Sequence, residues 1–384
     1  MVLKTADRGN IPPFIVMEVM RAAAMREREN KAVYHLEVGQ PSTGAPSKAK
    51  MAAKAALDGD KLGYTVALGI PELREGIANY YKDLYKVSLR PENIVITTGS
   101  SAGFMLSFLA AFNPGDRVAL VAPGYPCYRH ILKLLGVEAV VMEAGPNERF
   151  QPTPDLLKKA MIDGPLDGFI VASPSNPSGT MLGKLEMQAL SDFCNMNEIR
   201  LISDEIYQGI TYDMTPHSAL EFGDDAVVVN SFSKYFSMTG WRLGWMILPD
   251  DLIRSVECLA QNMYISAPTL SQIAAVGALD CRDELDANVV RYAKNREILL
   301  NELPKAGFNN LAPSDGAFYI YADVSNMTDD SVEFCARILK ETGVAVTPGL
   351  DFDEGRGHQT MRFSFAGDPQ EIIMAAKALQ NWDR

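Results

Sequence analysis

Several features are scarce or missing in this 384-residue chain, and each excludes a class of protein. Basic residues are outnumbered, at 36 against 48 acidic residues, which leaves a formal net charge of −12. Without a basic run or a basic helix, such a chain is not expected to bind nucleic acid. The most apolar helix-like stretch, residues 104–112, is too short to cross a bilayer, and residues 1–30 lack the apolar core of a signal peptide. We therefore expect neither a nucleic-acid partner nor a membrane.

Cysteine and histidine are also sparse. The five cysteines, at positions 127, 194, 258, 281 and 335, form no C-x-x-C pair, and the four histidines show no H-E-x-x-H spacing. This usage predicts free thiols, a cytoplasmic location and no metal site. The sequence contains no internal repeat, low-complexity tract or Gly/Ser linker. The chain is nevertheless longer than most domains built around a single hydrophobic core. Two domains joined within folded structure are therefore expected.

What the sequence does contain is an alternation of short apolar runs with helical patterns. The runs that predict strands are 94–97, 117–122, 168–173, 200–204, 226–230 and 243–248. Segments with helical periodicity, such as 155–161 and 185–198, lie between them. This order is typical of an α/β domain with a mostly parallel central sheet flanked by helices. The later elements predict a smaller α+β domain: a helix at 285–302, a strand at 317–323, a helix at 331–342 and a strand at 361–365.

The segment Ser231–Trp245 carries the strongest functional signal. It follows a predicted buried strand, and ligands of parallel sheets bind at the carboxyl ends of the strands. An amine at this place, Lys234, could form a Schiff base with an aldehyde cofactor. The hydroxyls of Ser231 and Ser233 and the guanidinium of Arg242 could hold a phosphate. Taken alone, a lysine after a strand can equally be a solvated loop residue.

Other strand ends offer matching parts. Residues 98–103 place hydroxyls and free backbone N–H groups at a predicted helix start. This arrangement could bind an anion, or it could be an ordinary helix start. Tyr125 could stack on a planar ring or belong to a packed turn. Asn176 could donate to a ring oxygen within a turn whose Asn-Pro bond is a candidate cis peptide. Asp204 could pair with a protonated ring nitrogen or cap a helix, and Tyr207 could reach a phenolic oxygen. Together these are the parts needed to hold pyridoxal phosphate.

The same residues carry a family resemblance. The motifs are Gly39-Gln-Pro41, Tyr64-Thr-x-x-x-Gly69, Ser175-Asn-Pro-Ser-Gly179, Asp204-Glu-Ile-Tyr207, Ser233-Lys234 and Arg362-Phe-Ser-Phe-Ala366. With them the chain resembles, nearly end to end, a class I/II aminotransferase of the fold-type-I pyridoxal-phosphate enzymes. The resemblance implies a large cofactor-binding domain at 48–285 and a small domain made of 1–47 and 286–384.

The resemblance also implies roles for individual residues. Lys234 would carry the cofactor as a Schiff base, and Asp204 would keep the pyridine nitrogen protonated. Asn176 and Tyr207 would bind the ring oxygen, and Tyr125 would stack on the ring. The phosphate would be bound by Ser100, Ser101, Ala102, Ser231, Ser233 and Arg242, joined by Tyr64 of the neighbouring subunit of a homodimer. Arg362 would bind the substrate carboxylate, with help from Asn176 and the backbone of Gly39.

The activity implied is transfer of an amino group from an amino acid to a 2-oxo acid. Residues 104–112 and 11–16 contain no basic side chain, which favours a neutral or aromatic amino acid over aspartate. A C–S β-lyase of the same fold and a non-catalytic ligand-binding regulator are the alternatives. One stretch departs from the family: many relatives have a Phe-Gly pair after Thr347-Pro-Gly349, whereas this chain has Phe352-Asp-Glu-Gly355 and a longer approach to Arg362. The path of this loop is therefore open.

Overall fold

Helices and strands alternate through a computed structural model that describes residues 3–59 and 61–383. The helices are α1 (Ile15–Arg28), α2 (Ser47–Gly59), α3 (Pro71–Tyr85), α4 (Gly99–Ala111), α5 (Cys127–Leu135), α6 (Pro154–Ala160), α7 (Lys184–Met196), α8 (Asp250–Met263), α9 (Thr269–Leu279), α10 (Arg282–Glu302), α11 (Ser331–Thr342) and α12 (Pro369–Gln380). The strands are β1 (Tyr34–His35), β2 (Ile94–Thr97), β3 (Arg117–Ala122), β4 (Glu138–Glu143), β5 (Gly168–Ala172), β6 (Arg200–Asp204), β7 (Val227–Ser231), β8 (Gly244–Ile247), β9 (Asn310–Leu311), β10 (Tyr319–Asp323), β11 (Val344–Ala345), β12 (Thr347–Pro348) and β13 (Thr360–Ser364). Among these described helices, none is both long and apolar enough to cross a membrane.

A seven-stranded sheet in the order β2-β8-β7-β6-β5-β3-β4 forms the centre of the molecule. Its strands pair in parallel except β8, which runs antiparallel to both β7 and β2. The inner strands are apolar on both faces because helices cover both sides of a parallel sheet. Along β7, for example, Val228 joins one hydrophobic cluster, whereas Val227 and Val229 join another.

The strands predicted for this sheet are found within one residue of their expected ends, but β4 was not predicted. It lies at the edge of the sheet and pairs only with β3. Most of its side chains are exposed or half-buried, and it begins and ends with glutamate. Its apolar run, residues 139–142, is short, lies between two glutamates and has one largely exposed face, so it differs from the buried runs that identified the other strands.

Two smaller sheets are built from the remainder of the chain. β1 pairs in parallel with β11, and β12, β13, β10 and β9 form an antiparallel sheet in that order. The predicted fold class, α/β with a smaller α+β part drawn from both ends of the chain, is confirmed. We propose the domain limits 48–285 and 1–47 with 286–384, a division that the membership of the sheets supports. Residues 1, 2, 60 and 384 within these limits lie outside the described residues.

Candidate active site

Polar side chains meet where the strands of the large sheet end. β2, β3, β5, β6 and β7 run in the same direction, so their carboxyl ends lie along one edge. A cavity of 190 Å³ lies there. Its lining includes these predicted site residues: Gly39, Ser100, Ser101, Tyr125, Asn176, Asp204, Tyr207, Ser233, Lys234, Arg242 and Arg362.

Lys234 projects into this cavity from the turn that follows β7. The turn is held by Ser231, whose hydroxyl accepts from the Ser233 N–H at 3.0 Å. The Lys234 ammonium donates to the carbonyl oxygen of Gly39 at 2.7 Å. Burial, with repulsion from Arg362 and Arg242, lowers the pKa of Lys234 to about 8. A much larger fraction of this amine is therefore neutral near pH 7 than for an exposed lysine, as a nucleophile or general base requires.

Asp204 ends β6 as a buried carboxylate without a cationic partner at salt-bridge distance among the described residues. It accepts a hydrogen bond from the Tyr128 hydroxyl and another, at 3.0 Å, from the Ile206 N–H. Burial raises the pKa of Asp204 to about 6, and the Tyr128 hydrogen bond opposes this rise. A ligand cation at this carboxylate, such as a protonated ring nitrogen, would stabilise its charge.

Arg362 in β13 is a buried cation, 2% exposed. It donates to the side-chain oxygen of Asn176 at 2.8 Å and to the carbonyl oxygen of Glu37. Its guanidinium lies 4.3 Å from the ring centre of Tyr319 and 4.7 Å from that of Phe352. Within the described chain no carboxylate pairs with it, and its Nε has no hydrogen-bond partner. A fixed, unpaired guanidinium of this kind is suited to binding a ligand carboxylate.

The start of α4 and Arg242 form the anionic corner of the cavity. Gly99 begins α4 at φ +76°, where a Cβ would lie 2.5 Å from the Arg242 guanidinium. The Arg242 guanidinium therefore lies beside Gly99 at the start of the helical turn that carries Ser100 and Ser101. Arg242 also donates to the Thr239 carbonyl at 3.0 Å, and Thr239 donates to the Ser233 carbonyl at 3.0 Å. Such a helix start with an arginine beside it can hold a phosphate.

The remaining polar and aromatic groups surround the middle of the cavity. Because the Asn176 oxygen accepts from Arg362, the amide NH₂ is the group left to donate to a ligand. The Asn176–Pro177 bond is cis, as expected. The hydroxyl of Tyr207 contacts that of Tyr319 at 2.6 Å, and Tyr125 packs edge-on against Phe14 at 5.9 Å.

Three predicted residues do not line the cavity of this chain. Ser231 is buried, and its hydroxyl donates to the Leu243 carbonyl at 3.3 Å, so its visible role is to hold the turn before Lys234. Ala102 lies in the first turn of α4, with its side chain buried. Tyr64 is 84% exposed at the surface.

A group of apolar side chains also lines the cavity. Its residues are Phe14, Val16, Met17, Met20 and Val38, most of them from α1, and we call them the apolar wall. Sequence reasoning anticipated apolar residues at 11–16 near the site but not the contribution of Met17, Met20 and Val38.

Comparison with known proteins identifies the family. The sequence model of the family "Aminotransferase class I and II" matches residues 31–379. The chain belongs to this family. It is 51% identical, over 99% of its own length and 98% of the relative's, to the protein named valine–pyruvate aminotransferase from Mycobacterium tuberculosis. It is 31% identical to an aspartate aminotransferase from Sulfolobus acidocaldarius, over 91% of this chain and 90% of the relative.

Solved structures of aminotransferases share the fold. A crystal structure of an aminotransferase from Mycobacterium tuberculosis matches with a TM-score of 0.97 at 50% identity and 99% coverage of both chains. Aspartate aminotransferase from Thermus thermophilus with maleate matches with a TM-score of 0.92 at 29% identity, again covering 99% of both. This aminotransferase is accordingly an enzyme that moves an amino group between an amino acid and a 2-oxo acid.

Sequence reasoning missed several residues that contact the predicted site of this aminotransferase. Tyr128 lies in the first turn of α5, three residues after Tyr125, and its closeness in sequence to a predicted ring-stacking residue was the available signal. Thr239 lies within the lysine-to-arginine segment and could have been noted as a further hydroxyl. No local signal identifies Tyr319 or Phe352, because their contacts with Tyr207 and Arg362 depend on how distant segments pack.

Proposed function

We propose that this aminotransferase uses pyridoxal phosphate to transfer the amino group of a valine-like apolar amino acid to pyruvate. The observation that carries the substrate class is the composition of the cavity. Among the described residues that line it, the only charged ones are Asp204, Lys234, Arg242 and Arg362. A carboxylate at the end of a substrate side chain would meet the apolar wall with no cation beside it, which is costly in a buried site.

The relatives support the same choice. The relative named for valine and pyruvate is 51% identical over nearly the whole chain, whereas those named for aspartate share 30% to 33%. A branched apolar side chain would bury its surface against the apolar wall. An aromatic side chain, which the sequence also allowed, would have to fit its ring into the same 190 Å³ cavity.

The residues of the cavity fit pyridoxal phosphate. An unpaired buried carboxylate suits the pyridinium nitrogen, the α4 start with Arg242 suits the phosphate, and Lys234 suits the aldehyde. When bound, the cofactor accepts the electrons released at the substrate Cα and carries the amino group. Borohydride reduction of the purified protein followed by peptide mapping should place the cofactor on Lys234. Label on another lysine would overturn this assignment.

Each residue then has a role of its own. Arg362 binds the substrate carboxylate and orients Cα. Lys234 Nζ, with its lowered pKa, accepts the Cα proton. Asp204 holds the proton on the ring nitrogen, and Tyr125 stacks on the ring. Ser100, Ser101, Ala102, Ser231, Ser233 and Arg242 bind the phosphate in this proposal, and Asn176 and Tyr207 bind the ring oxygen.

We further propose a homodimer with shared sites. Tyr64 and Val66 are 84% and 62% exposed, and Ile265 is 51% exposed. The loop of Tyr64 lies beside α9, because Thr269 donates to the Gly63 carbonyl at 2.5 Å. This exposed apolar surface supports an interface through which Tyr64 reaches the phosphate of the other subunit. A cytoplasmic location stays a prediction from the cysteine usage.

The substrate is tested with the cofactor-loaded protein and a panel of amino acids. Valine, isoleucine, alanine, phenylalanine and aspartate are each supplied with pyruvate or 2-oxoglutarate, and the new amino and 2-oxo acids are quantified. We expect valine with pyruvate to give the highest kcat/KM and aspartate to fall at least about tenfold below it. A preference for aspartate would mean that the partner subunit supplies a cation. A separate incubation with cysteine and no 2-oxo acid tests for a lyase, which would cleave the Cβ–S bond and release sulfide, ammonia and pyruvate.

A further inference from the structure

The loop that departs from the family pattern lies between two parts of the proposed substrate site. It follows β12, and its residues 349–356 include a 3₁₀ turn, Gly349–Asp351. Asp351 and Phe352 are both 1% exposed. Their burial shows that the first half of this loop packs into the molecule, whereas Glu354 and Gly355 lie at the surface.

Asp351 caps helix α1. Its two carboxylate oxygens accept from the N–H groups of Ile15 at 2.9 Å and Val16 at 3.2 Å. The residue that would normally cap α1, Phe14, offers no side-chain hydrogen bond. The charge of Asp351 also opposes the positive end of the helix dipole. A residue more than 300 positions away thus supplies the cap that the local sequence lacks.

The capped turn and the residue before it carry three of the five residues of the apolar wall. Phe14 and Val16 line the cavity next to the two bonded N–H groups, and Met17 follows in the same turn. Fraying of this turn would move these side chains, because the first N–H groups of a helix have no partner within it. The position of the wall therefore depends on the Asp351 carboxylate.

Phe352, the next residue, fixes the other half of the site. Its ring lies 4.7 Å from the Arg362 guanidinium, and its carbonyl accepts from the Gly124 N–H at 3.0 Å. Arg129 donates to the Asp351 carbonyl at 3.0 Å and pairs with Glu354 at 3.1 Å. The loop is thereby attached to the carboxyl end of β3, beside Tyr125. Two adjacent residues connect the carboxylate-binding arginine with the apolar wall.

We infer that Asp351 is a positioning residue for the substrate side chain: by capping α1 it holds the apolar wall at a set distance from Arg362. This inference rests on the proposed apolar substrate. The inference predicts that a change at Asp351 alters the KM for valine and the KM for pyruvate differently. Valine has a branched side chain to place against the wall, whereas pyruvate has only a methyl group, although both place a carboxylate on Arg362.

The test uses the cofactor-loaded enzyme with Asp351→Asn and Asp351→Ala. Asparagine keeps the shape of the side chain and one acceptor oxygen, so the Asp351→Asn variant still tests the inference if the alanine variant does not fold. Asp330→Asn is the matched control, because Asp330 also caps a helix: one of its carboxylate oxygens accepts from two N–H groups at the start of α11. We measure KM and kcat for valine and for pyruvate, and hydrogen exchange in the peptide covering residues 11–20.

Loss of a helix cap commonly corresponds to about a fivefold change in an equilibrium constant. We therefore expect Asp351→Asn to raise the KM for valine about fivefold with little change in kcat or in the KM for pyruvate. Residues 15 and 16 should exchange faster. Asp330→Asn should change neither KM nor this exchange.

Equal rises in both KM values would overturn the inference, because they would place the effect on Arg362. Unchanged exchange in residues 11–20, or the same KM change in Asp330→Asn, would overturn it as well. If the panel shows that valine is not a substrate, the proposed function fails by itself. The exchange result and the KM for the preferred amino acid then still test the role of Asp351.

Discussion

The chemistry proposed for single residues depends on charges that are buried without an opposite charge. Asp204 and Arg362 are almost fully buried, and neither has an ion-pair partner among the described residues. Burying an ion in this way is unfavourable unless something compensates for the lost hydration. For Asp204 the compensation visible in the chain is hydrogen bonds from Tyr128 and the Ile206 N–H, and for Arg362 it is two aromatic rings and three oxygen acceptors. Ligand charges would complete both pairs.

Tyr128→Phe should shift the acidic limb of the kcat/KM profile to higher pH. The Tyr128 hydroxyl hydrogen-bonds the ionised form of Asp204 and so holds its pKa down, against the rise to about 6 that burial causes. Without that bond the carboxylate protonates at higher pH, by about one pH unit, and activity is lost earlier on acidification. Steady-state rates between pH 5 and 9 measure this. Tyr85→Phe, which removes another buried hydroxyl bonded to a side chain, is the control. An unmoved limb would show that Tyr128 does not tune Asp204.

Arg362→Lys should raise the KM of the amino acid and of the 2-oxo acid together. Lysine has no planar fork to bind a carboxylate with two hydrogen bonds and cannot fill the space between Tyr319 and Phe352. Loss of a charged hydrogen bond corresponds to about a tenfold to hundredfold rise in KM. Arg296→Lys is a close control, since Arg296 also lies over a tyrosine ring, at 5.1 Å, but outside the cavity. KM values near those of the parent would exclude Arg362 as the carboxylate ligand.

At the scale of elements, the start of α4 illustrates how backbone geometry forms a binding site. The helix begins at a glycine with positive φ directly after β2, and this lets the Arg242 guanidinium approach the start of its first turn. Any larger residue at Gly99 would occupy the position of Arg242. The anion site therefore requires the strand end, the helix start and the loop after β7 to come together.

Gly99→Ala should weaken cofactor binding as well as lower stability. Its methyl group would lie 2.5 Å from Arg242 Nη2 and would displace this side chain from the phosphate. Gly115→Ala is the matched control, because Gly115 also has a positive φ, +95°, but open space around its would-be Cβ. Both changes should cost about 1–2 kcal/mol of folding free energy for the backbone strain. Only Gly99→Ala should raise the Kd for pyridoxal phosphate, by about tenfold or more in a fluorescence titration. Equal Kd values in the two variants would contradict the phosphate site.

At the scale of the whole molecule, the site of one chain lacks one predicted component. Tyr64 lies exposed at the surface of its own chain, whereas the family resemblance implies a contact with the phosphate across an interface. An interface that supplies catalytic parts should be large, apolar and two-fold symmetric. The exposed Val66 and Ile265 are consistent with such a surface.

Mixing inactive Lys234→Ala chains with inactive Tyr64 variant chains should restore activity. If Tyr64 acts on the other subunit, a mixed dimer has one site with both lesions and one site with neither. Up to about a quarter of the parent activity should return after complete exchange, since half the dimers are mixed and each has one intact site. Activity is followed during subunit exchange, which is verified by native mass spectrometry. No recovery despite exchange, or a fully active monomer by sedimentation, would count against shared sites.

Much of the fold was determined by local sequence. The strands at 117–122 and 200–204 were predicted because buried parallel strands need apolar runs, whatever their neighbours. The strand at 94–97 pairs only with the antiparallel β8, but all four of its residues are buried, so it carries the same apolar pattern. The edge strand at 138–143 was not predicted, because one of its faces is largely exposed. Lys234, Asp204 and Asn176 could be named in advance since each follows directly from a strand end, and strand ends converge in this architecture.

Only the tertiary structure decided which distant groups complete the site. Tyr128 meets Asp204 across 76 residues of sequence, and Ile15 meets Asp351 across 336. Such contacts have no local pattern, because they arise from the packing of separate elements rather than from periodicity or turn chemistry. The sequence by itself determined the family, the strand-end residues and their chemistry. Tertiary packing decided how those residues are oriented, how their pKa values shift, and where the apolar wall lies relative to Arg362.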